Sequence, residues 1–133
     1  MLGFVVVSHS KKLAEEIIIL CNEMKKYDFP VINGSGTESE NLGSDPLIIK
    51  KAIEDAYLKD GVMIFVDLGS SVFNAEIALE FLDGDKYDKN LIRIADASIV
   101  EGVLMSMAIN DEKLVLSELE EELKELKNMK KVN

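Results

Sequence analysis

Short apolar runs alternate along the chain with stretches in which apolar residues recur every three or four positions. The runs at residues 3–7, 31–32, 62–66 and 91–95 are brief and rich in β-branched residues, which predicts strands. The stretches with helical periodicity predict five helices, at about residues 11–24, 46–58, 72–82, 98–109 and 113–130. Strand and helix therefore alternate as far as the fourth helix.

The same periodicity predicts which helix side chains face the core. In the first helix the predicted inward residues are Leu13, Ala14, Ile17, Leu20, Cys21 and Met24. In the third helix they are Phe73, Ile77, Ala78, Phe81 and Leu82. Between the second strand and the second helix, residues 33–44 are rich in Gly, Ser and Asn without periodicity, which predicts a surface loop long enough for a functional role.

This order of elements predicts right-handed strand–helix–strand units around a parallel sheet. The expected fold class is α/β, a single domain at residues 1–133 that is doubly wound, with a mainly parallel sheet of about four strands and helices on both faces. In such sheets ligands bind at the carboxyl ends of the strands, where helix N-termini offer unpaired N–H groups to anions. Two segments lie there: residues 8–10 after the first strand and residues 67–71 after the third.

Composition narrows the classes of partner. The chain of 133 residues has 25 Asp and Glu against 15 Lys and Arg, a net charge of −10, which disfavours a nucleic-acid surface and fits basic protein partners. The lone cysteine, Cys21, cannot form an internal disulfide. No apolar run is long enough to cross a membrane and the N-terminus does not resemble a signal peptide. The sequence predicts a cytoplasmic protein that binds neither nucleic acid nor membranes.

The only histidine, His9, lies between Ser8 and Ser10 at the turn from the first strand to the first helix. A neutral imidazole is a nucleophile toward phosphorus or a general base, and the N–H groups of the helix that begins near Ser10 would hold an anionic product. A histidine at such a turn can equally serve as a helix cap or a loop residue. Its position alone leaves that interpretation open.

Asp67 ends the third strand, which in a doubly wound sheet is commonly next to the first, so its carboxylate is expected near His9. A carboxylate that accepts one ring N–H fixes the tautomer and leaves the other nitrogen free for attack. A turn cap before the next helix is an equally compatible role for Asp67. The predicted catalytic pair is His9 and Asp67, and the predicted phosphate-binding residues are Ser8, Ser10, Gly69, Ser70 and Ser71.

Other chemistries lack their motifs. The chain has no P-loop, and Gly-Ser-Gly at residues 34–36 lacks the third glycine of a dinucleotide site. One cysteine and one histidine far apart do not form a zinc ligand set, so no metal and no cofactor is predicted. A hydrolase built on Ser70, His9 and Asp67 would need a G-x-S-x-G turn, which residues 69–71 do not form.

Four motifs, at residues 5–14, 34–43, 61–76 and 100–103, carry a resemblance that spans nearly the whole chain. On these motifs the sequence resembles the phosphocarrier subunits of bacterial phosphoenolpyruvate-dependent dihydroxyacetone kinases, whose domain is similar to the mannose-type enzyme IIA of the sugar phosphotransferase system. In mannose-type sugar carriers the loop after the third strand typically reads Asp and then Gly-Gly-Ser-Pro, whereas residues 68–71 here read Leu-Gly-Ser-Ser, which favours the dihydroxyacetone branch.

The resemblance implies that the phosphocarrier protein HPr phosphorylates His9, and that the phosphoryl group then passes to ADP bound on a separate dihydroxyacetone kinase subunit. It implies that Asp67 is the carboxylate partner of the histidine, that Ser70 or Ser71 faces the phosphate, and that the protein is a homodimer. Many relatives carry fused HPr-like and enzyme I-like domains. Because this chain ends at Asn133, separate proteins are expected to supply its phosphoryl group.

Two alternatives remain open from the sequence. A mannose-type sugar transporter would use the same carrier chemistry but deliver the phosphoryl group to a membrane sugar permease. A non-catalytic regulatory module on a receiver-like fold would need a pair of acidic residues after the first strand, where this chain has Ser8 and His9.

Overall fold

Four parallel strands form the centre of the computed structural model, which describes residues 1–133. The strand order is β2-β1-β3-β4, and all three pairings are parallel. The strands are β1 (Gly3–Val7), β2 (Val31–Asn33), β3 (Val62–Val66) and β4 (Ile92–Ile94).

Five α-helices follow the strands, and short 3-10 turns at Asn22–Met24, Lys89–Leu91 and Leu126–Asn128 complete the structure. The second helix begins as its sequence predicts, because Asp45 caps it by accepting the N–H of Leu47 and a proline occupies its first turn. The helices are α1 (Lys11–Cys21), α2 (Pro46–Ala56), α3 (Gly69–Phe81), α4 (Ile99–Ile109) and α5 (Leu116–Glu125).

Alternate residues of the central strands face two separate cores. Phe4 and Phe65 point to the layer of α1, α4 and α5, whereas Val5 and Ile64 point to the layer of α2 and α3. Both β1 and β3 are fully buried, which explains why their sequences are uninterrupted apolar runs rather than alternating ones. The predicted α/β class, parallel sheet and two helical layers are confirmed.

The strand order creates one crevice that positions the candidate site. From β1 the chain proceeds outward to β2, and from β3 it proceeds outward in the other direction to β4, so the connections diverge between β1 and β3. In the β1–β3 ladder Val7 pairs with Val66, and the N–H of Asp67 donates to the carbonyl oxygen of Val7 at 3.2 Å. The residues that follow the two strands therefore begin at the same level.

The prediction for the third helix was wrong at its start and on its inward face. The helix begins at Gly69 rather than Val72, because the N–H groups of Ser71 and Val72 both donate to the carbonyl oxygen of Leu68 and close the first turn there. Phe73 is 62% exposed. Phe81, also predicted to face the core, is exposed as well. The buried residues are instead Ser71, Ala75 and Ala78 of the helix and Leu82 after it. The three buried side chains of the helix are small, which allows it to pack closely on its neighbours.

The first and fifth helices also differ from their predictions. In α1 the buried residues are Ala14, Ile17 and Cys21, while the predicted inward residues Leu13, Leu20 and Met24 are exposed. The fifth helix is shorter than expected because Asp111 accepts the N–H groups of residues 113 and 114 and forms a turn before it. No helix has both the length and the apolar character needed to span a bilayer.

Gly3 allows β1 to lie against the end of α2, and its replacement should disrupt that contact. A Cβ atom at Gly3 would lie 1.8 Å from the carbonyl oxygen of Ala56, a backbone atom that cannot move alone. We expect Gly3→Ala to lower the free energy of unfolding by about 3 kcal/mol in a urea titration. Gly84→Ala is the control, because its nearest neighbour is the flexible end of Lys89 at 3.8 Å. Equal unfolding midpoints for both variants would contradict this packing.

Candidate functional site

The ends of β1 and β3 bring His9 and Asp67 together. His9 Nδ1 lies 3.0 Å from Asp67 Oδ1, and the His9 main-chain N–H donates to Asp67 Oδ2 at 3.0 Å. The His9 side chain is 28% exposed and that of Asp67 is 12% exposed. The predicted proximity of the two residues is therefore observed, with the carboxylate beneath and the imidazole at the surface.

The carboxylate of Asp67 accepts five hydrogen bonds. Two reach Oδ2, from the Ser8 hydroxyl at 2.8 Å and from the His9 N–H. Three reach Oδ1, from the His9 ring, from the Leu68 N–H at 2.7 Å and from the Ser71 hydroxyl at 3.1 Å. An ionised carboxylate offers only acceptor sites, so this ring of donors matches the charged form.

The same contacts explain the titration of Asp67. Burial on its own would raise the pKa of this carboxyl group, but the hydrogen bonds from His9, Ser8 and Leu68 outweigh it and lower the pKa to about 2. Asp67 is therefore ionised at neutral pH. Its negative charge is fixed next to the imidazole.

The geometry determines the tautomer of His9. Because the carboxylate of Asp67 can only accept a hydrogen bond, Nδ1 must carry the proton of the bond between them. In the neutral ring Nε2 then carries no proton, and its lone pair can accept a hydrogen bond or attack phosphorus. The hydroxyl of Ser70 lies in close contact with Nε2 on the exposed side of the ring and is its donor. The exposed nitrogen is thus the nucleophilic one.

The three other serines predicted at the site differ in what their hydroxyls contact. Ser8 is fully buried, and its oxygen both donates to Asp67 and accepts the N–H of Ser10 at 3.0 Å. Ser10 caps α1 by accepting the N–H of Leu13 at 3.2 Å. Ser71 is buried against Asp67 and lies 3.2 Å from His9 Nδ1. Ser70 is therefore the one whose hydroxyl stands at Nε2.

The N-terminus of α3 supplies unpaired donors beside Nε2. The N–H groups of Gly69 and Ser70 make no hydrogen bond within the protein, as expected for the first turn of a helix. A Cβ atom at Gly69 would meet nothing within 4 Å, so the space above this turn is open. Open space with N–H donors at a helix start suits an anion.

Three residues of the site were missed by sequence reasoning. Ser35 is buried, and its hydroxyl oxygen accepts the Ser8 N–H at 2.8 Å. Gly43 donates its N–H to the His9 carbonyl oxygen at 2.7 Å. Asn74 of α3 donates to Ser44 Oγ at 2.7 Å. The glycine- and serine-rich composition of the loop indicated a functional segment, but no periodicity identified these particular positions.

The site is open rather than enclosed. The main surface cavities lie elsewhere, and none of them is lined by His9, Asp67 or Ser70. One of them, of about 360 Å³, lies between β2 and α2. No group of three or more His, Cys, Asp or Glu side chains is arranged to hold a metal ion. The chemistry that the arrangement offers is that of one oriented imidazole with hydroxyl and N–H donors around it.

Comparison with known proteins gives the family of the chain. The family model EIIA-man, described as PTS system fructose IIA component, matches residues 3–124. The chain belongs to this family. A crystallised protein of unknown function is 30% identical with a TM-score of 0.71, covering 90% of this chain and 94% of its own. The fold is shared by the mannose/sorbose-specific IIA subunit of the phosphotransferase system from Enterococcus faecalis. That subunit is 13% identical with a TM-score of 0.61, and the match covers 98% of this chain and 94% of its own.

Within the family, the similar curated proteins are phosphoryl donor subunits named DhaM. The subunit of PEP-dependent dihydroxyacetone kinase 2 from Listeria innocua is 34% identical over 90% of this chain and 97% of its own length. That of Providencia stuartii is 33% identical over 78% of this chain but only 22% of its own length, so the chain spans about a fifth of that relative. The resemblance to DhaM-type, mannose-type IIA phosphocarriers is confirmed.

Asp67→Asn should change how stability depends on pH. The folded pKa of about 2 lies below the ordinary value of 3.8, so the carboxylate stabilises the fold above about pH 4 and this contribution is lost as the pH falls toward 2. The shift corresponds to about 2 kcal/mol. We expect the difference in unfolding free energy between wild type and Asp67→Asn to shrink by about that amount between pH 6 and pH 2 in urea titrations. A constant difference over this range would contradict the hydrogen-bonded carboxylate.

Proposed function

We propose that the protein is a phosphohistidine carrier that accepts a phosphoryl group on His9 Nε2 and donates it to a dihydroxyacetone kinase. The observation that carries this proposal is the line of contacts from Asp67 through the His9 ring to Ser70. It leaves one nitrogen with its lone pair at the surface, next to donors that suit an anion. The proposed catalytic residues are His9 and Asp67, and the proposed phosphate-facing residues are Gly69 and Ser70.

The chemistry is two successive substitutions at phosphorus. The Nε2 lone pair forms the N–P bond while the bond from phosphorus to the donor breaks. Throughout this step the proton stays on Nδ1 and is donated in a hydrogen bond to Asp67. In the second step an oxygen of the acceptor attacks phosphorus, and the N–P electron pair returns to Nε2. Ser70, which loses Nε2 as its acceptor in the first step, can then donate to a phosphoryl oxygen with the α3 N–H groups.

The surface around Nε2 supports exchange between proteins. Leu42, Leu68 and Phe73 are 78%, 62% and 62% exposed. Leu42 precedes Gly43, which contacts His9, while Leu68 and Phe73 flank the first turn of α3. A reactive atom on an open surface with an apolar rim suits a macromolecular partner rather than a small substrate. A small-molecule site would instead be a lined cavity.

The names of the relatives support a kinase as the partner. The Listeria and Providencia proteins are named phosphoryl donor subunits of PEP-dependent dihydroxyacetone kinases. We assign the same role to this chain, with HPr as the donor and ADP on the kinase subunit as the acceptor. The resemblance further supports a homodimer, a cytoplasmic location and a single phosphocarrier domain at residues 1–133, all of which are part of the proposal.

Substitution at His9 and Ser70 tests the carrier chemistry. After incubation with phosphoenolpyruvate, enzyme I and HPr, the wild type should gain one acid-labile phosphoryl group by intact mass and His9→Ala should gain none. Ser70→Ala should still be phosphorylated, but about 10- to 100-fold more slowly, because one donor to the transferred group is lost. Ser117→Ala, an exposed serine of α5, should match the wild type.

The acceptor is identified by adding the ADP-loaded kinase subunit to the phosphorylated protein. Discharge with formation of ATP supports the dihydroxyacetone role. If the phosphoprotein is stable in the presence of the kinase subunit but loses its phosphoryl group to a sugar permease, the chain belongs instead to sugar transport. Full phosphorylation of His9→Ala would contradict the carrier proposal itself.

A charge placed in the apolar rim should weaken partner binding without changing the reacting atoms. We expect Phe73→Asp to raise the KM for the phosphorylated donor about ten-fold or more with little change in stability, because the side chain is 62% exposed. Val115→Asp is the matched control: it is 48% exposed and precedes α5 near the start of β4, away from His9. Equal KM values for the two variants would show that the rim is not a contact surface.

A further inference from the structure

A chain of hydrogen bonds runs from α3 through the loop at residues 36–44 to the main chain of His9. The side-chain amide of Asn74 donates to Ser44 Oγ at 2.7 Å and lies 3.4 Å from the Ser44 carbonyl oxygen. The preceding residue, Gly43, donates its N–H to the carbonyl oxygen of His9 at 2.7 Å. Asn74 lies one turn beyond Ser70, so α3 contacts the ring of His9 directly through Ser70 and is linked to its backbone through the loop.

The loop needs an anchor at this point. An isolated bridge pairs Gly36 with Ser44 at its base, and its internal hydrogen bonds centre on Thr37, while residues 38–42 are exposed. Gly43 has a φ of +136°, a conformation that other residues rarely adopt, so its N–H reaches His9 through a specific local geometry. Ser44 is the residue through which α3 holds that geometry.

We propose that Asn74 is a positioning residue for phosphoryl transfer at His9. By holding Ser44, it keeps the Gly43 N–H on the His9 carbonyl oxygen and thereby fixes the backbone from which the imidazole projects. It touches neither the ring nor the position of the phosphoryl group. The catalytic consequence rests on the proposed function, because transfer in line with Nε2 depends on placement, and a shift of about 1 Å can cost up to about 100-fold in rate.

The test combines a local structural readout with kinetics. In Asn74→Ala we expect amide hydrogen exchange at Gly43 to become about ten-fold faster, since its hydrogen bond opens more often. We expect kcat for phosphorylation of His9 to fall about ten-fold while the KM for the donor stays near the wild-type value. Asn74→Leu keeps a similar side-chain volume but can neither donate nor accept a hydrogen bond, so it should behave like the alanine variant.

A matched control is available in the same loop. The side-chain amide of Asn41 makes no hydrogen bond, although its main chain contacts Thr37 and Ser39. Asn41→Ala should therefore leave both the Gly43 exchange rate and kcat unchanged. A loss of equal size in this variant would indicate a general effect of loop composition and would overturn the role of Asn74.

Two other results would overturn the proposal. One is an unchanged Gly43 exchange rate in Asn74→Ala, and the other is faster exchange with wild-type kcat. If the wild type accepts no phosphoryl group from any active donor, the proposed function fails. The Gly43 exchange rate and the imidazole chemical shifts of His9 then still decide whether Asn74 holds the histidine in place.

Discussion

The ionised carboxylate of Asp67 is the interaction on which the rest of the site depends. It lies at the end of β3, next to β1, and every group around it donates: two hydroxyls, two main-chain N–H groups and the imidazole. Burial would raise the pKa of this group, but the hydrogen bonds from His9, Ser8 and Leu68 outweigh it and lower the pKa to about 2. The fold contributes by ending two adjacent parallel strands at the same level, which no local sequence could arrange alone.

The proposed function builds on that charge in steps. The carboxylate orients His9 with its proton on Nδ1, the free nitrogen faces outward, and the first turn of α3 brings a hydroxyl and two unpaired N–H groups beside it. The same helix presents Phe73 at the surface next to this turn. One helix thus supplies donors for an anion, apolar area for a partner and, through Asn74, support for the loop that holds His9.

Much of this arrangement could be predicted because strand ends in a doubly wound sheet are informative positions. His9 and Asp67 each follow a buried strand, so their proximity follows from topology. The start of α3 was missed because Leu68, its cap residue, has no side-chain acceptor. The exposure of Phe73 was missed because apolar and polar residues are spread around α3 without a preferred face, so periodicity cannot orient the helix. The link from Asn74 to the loop joins residues thirty positions apart and leaves no local pattern.

The most direct test of the central claim is nitrogen NMR of the imidazole before and after phosphorylation. His9 is the only histidine, so its two ring nitrogens give the only imidazole signals. We expect the proton of the neutral ring to be on Nδ1 in the free protein, and the phosphoryl group to be on Nε2 after reaction with the donor. A ring protonated at Nε2, or a phosphoryl group on Nδ1, would contradict the account, because either would mean that Asp67 does not set which nitrogen reacts.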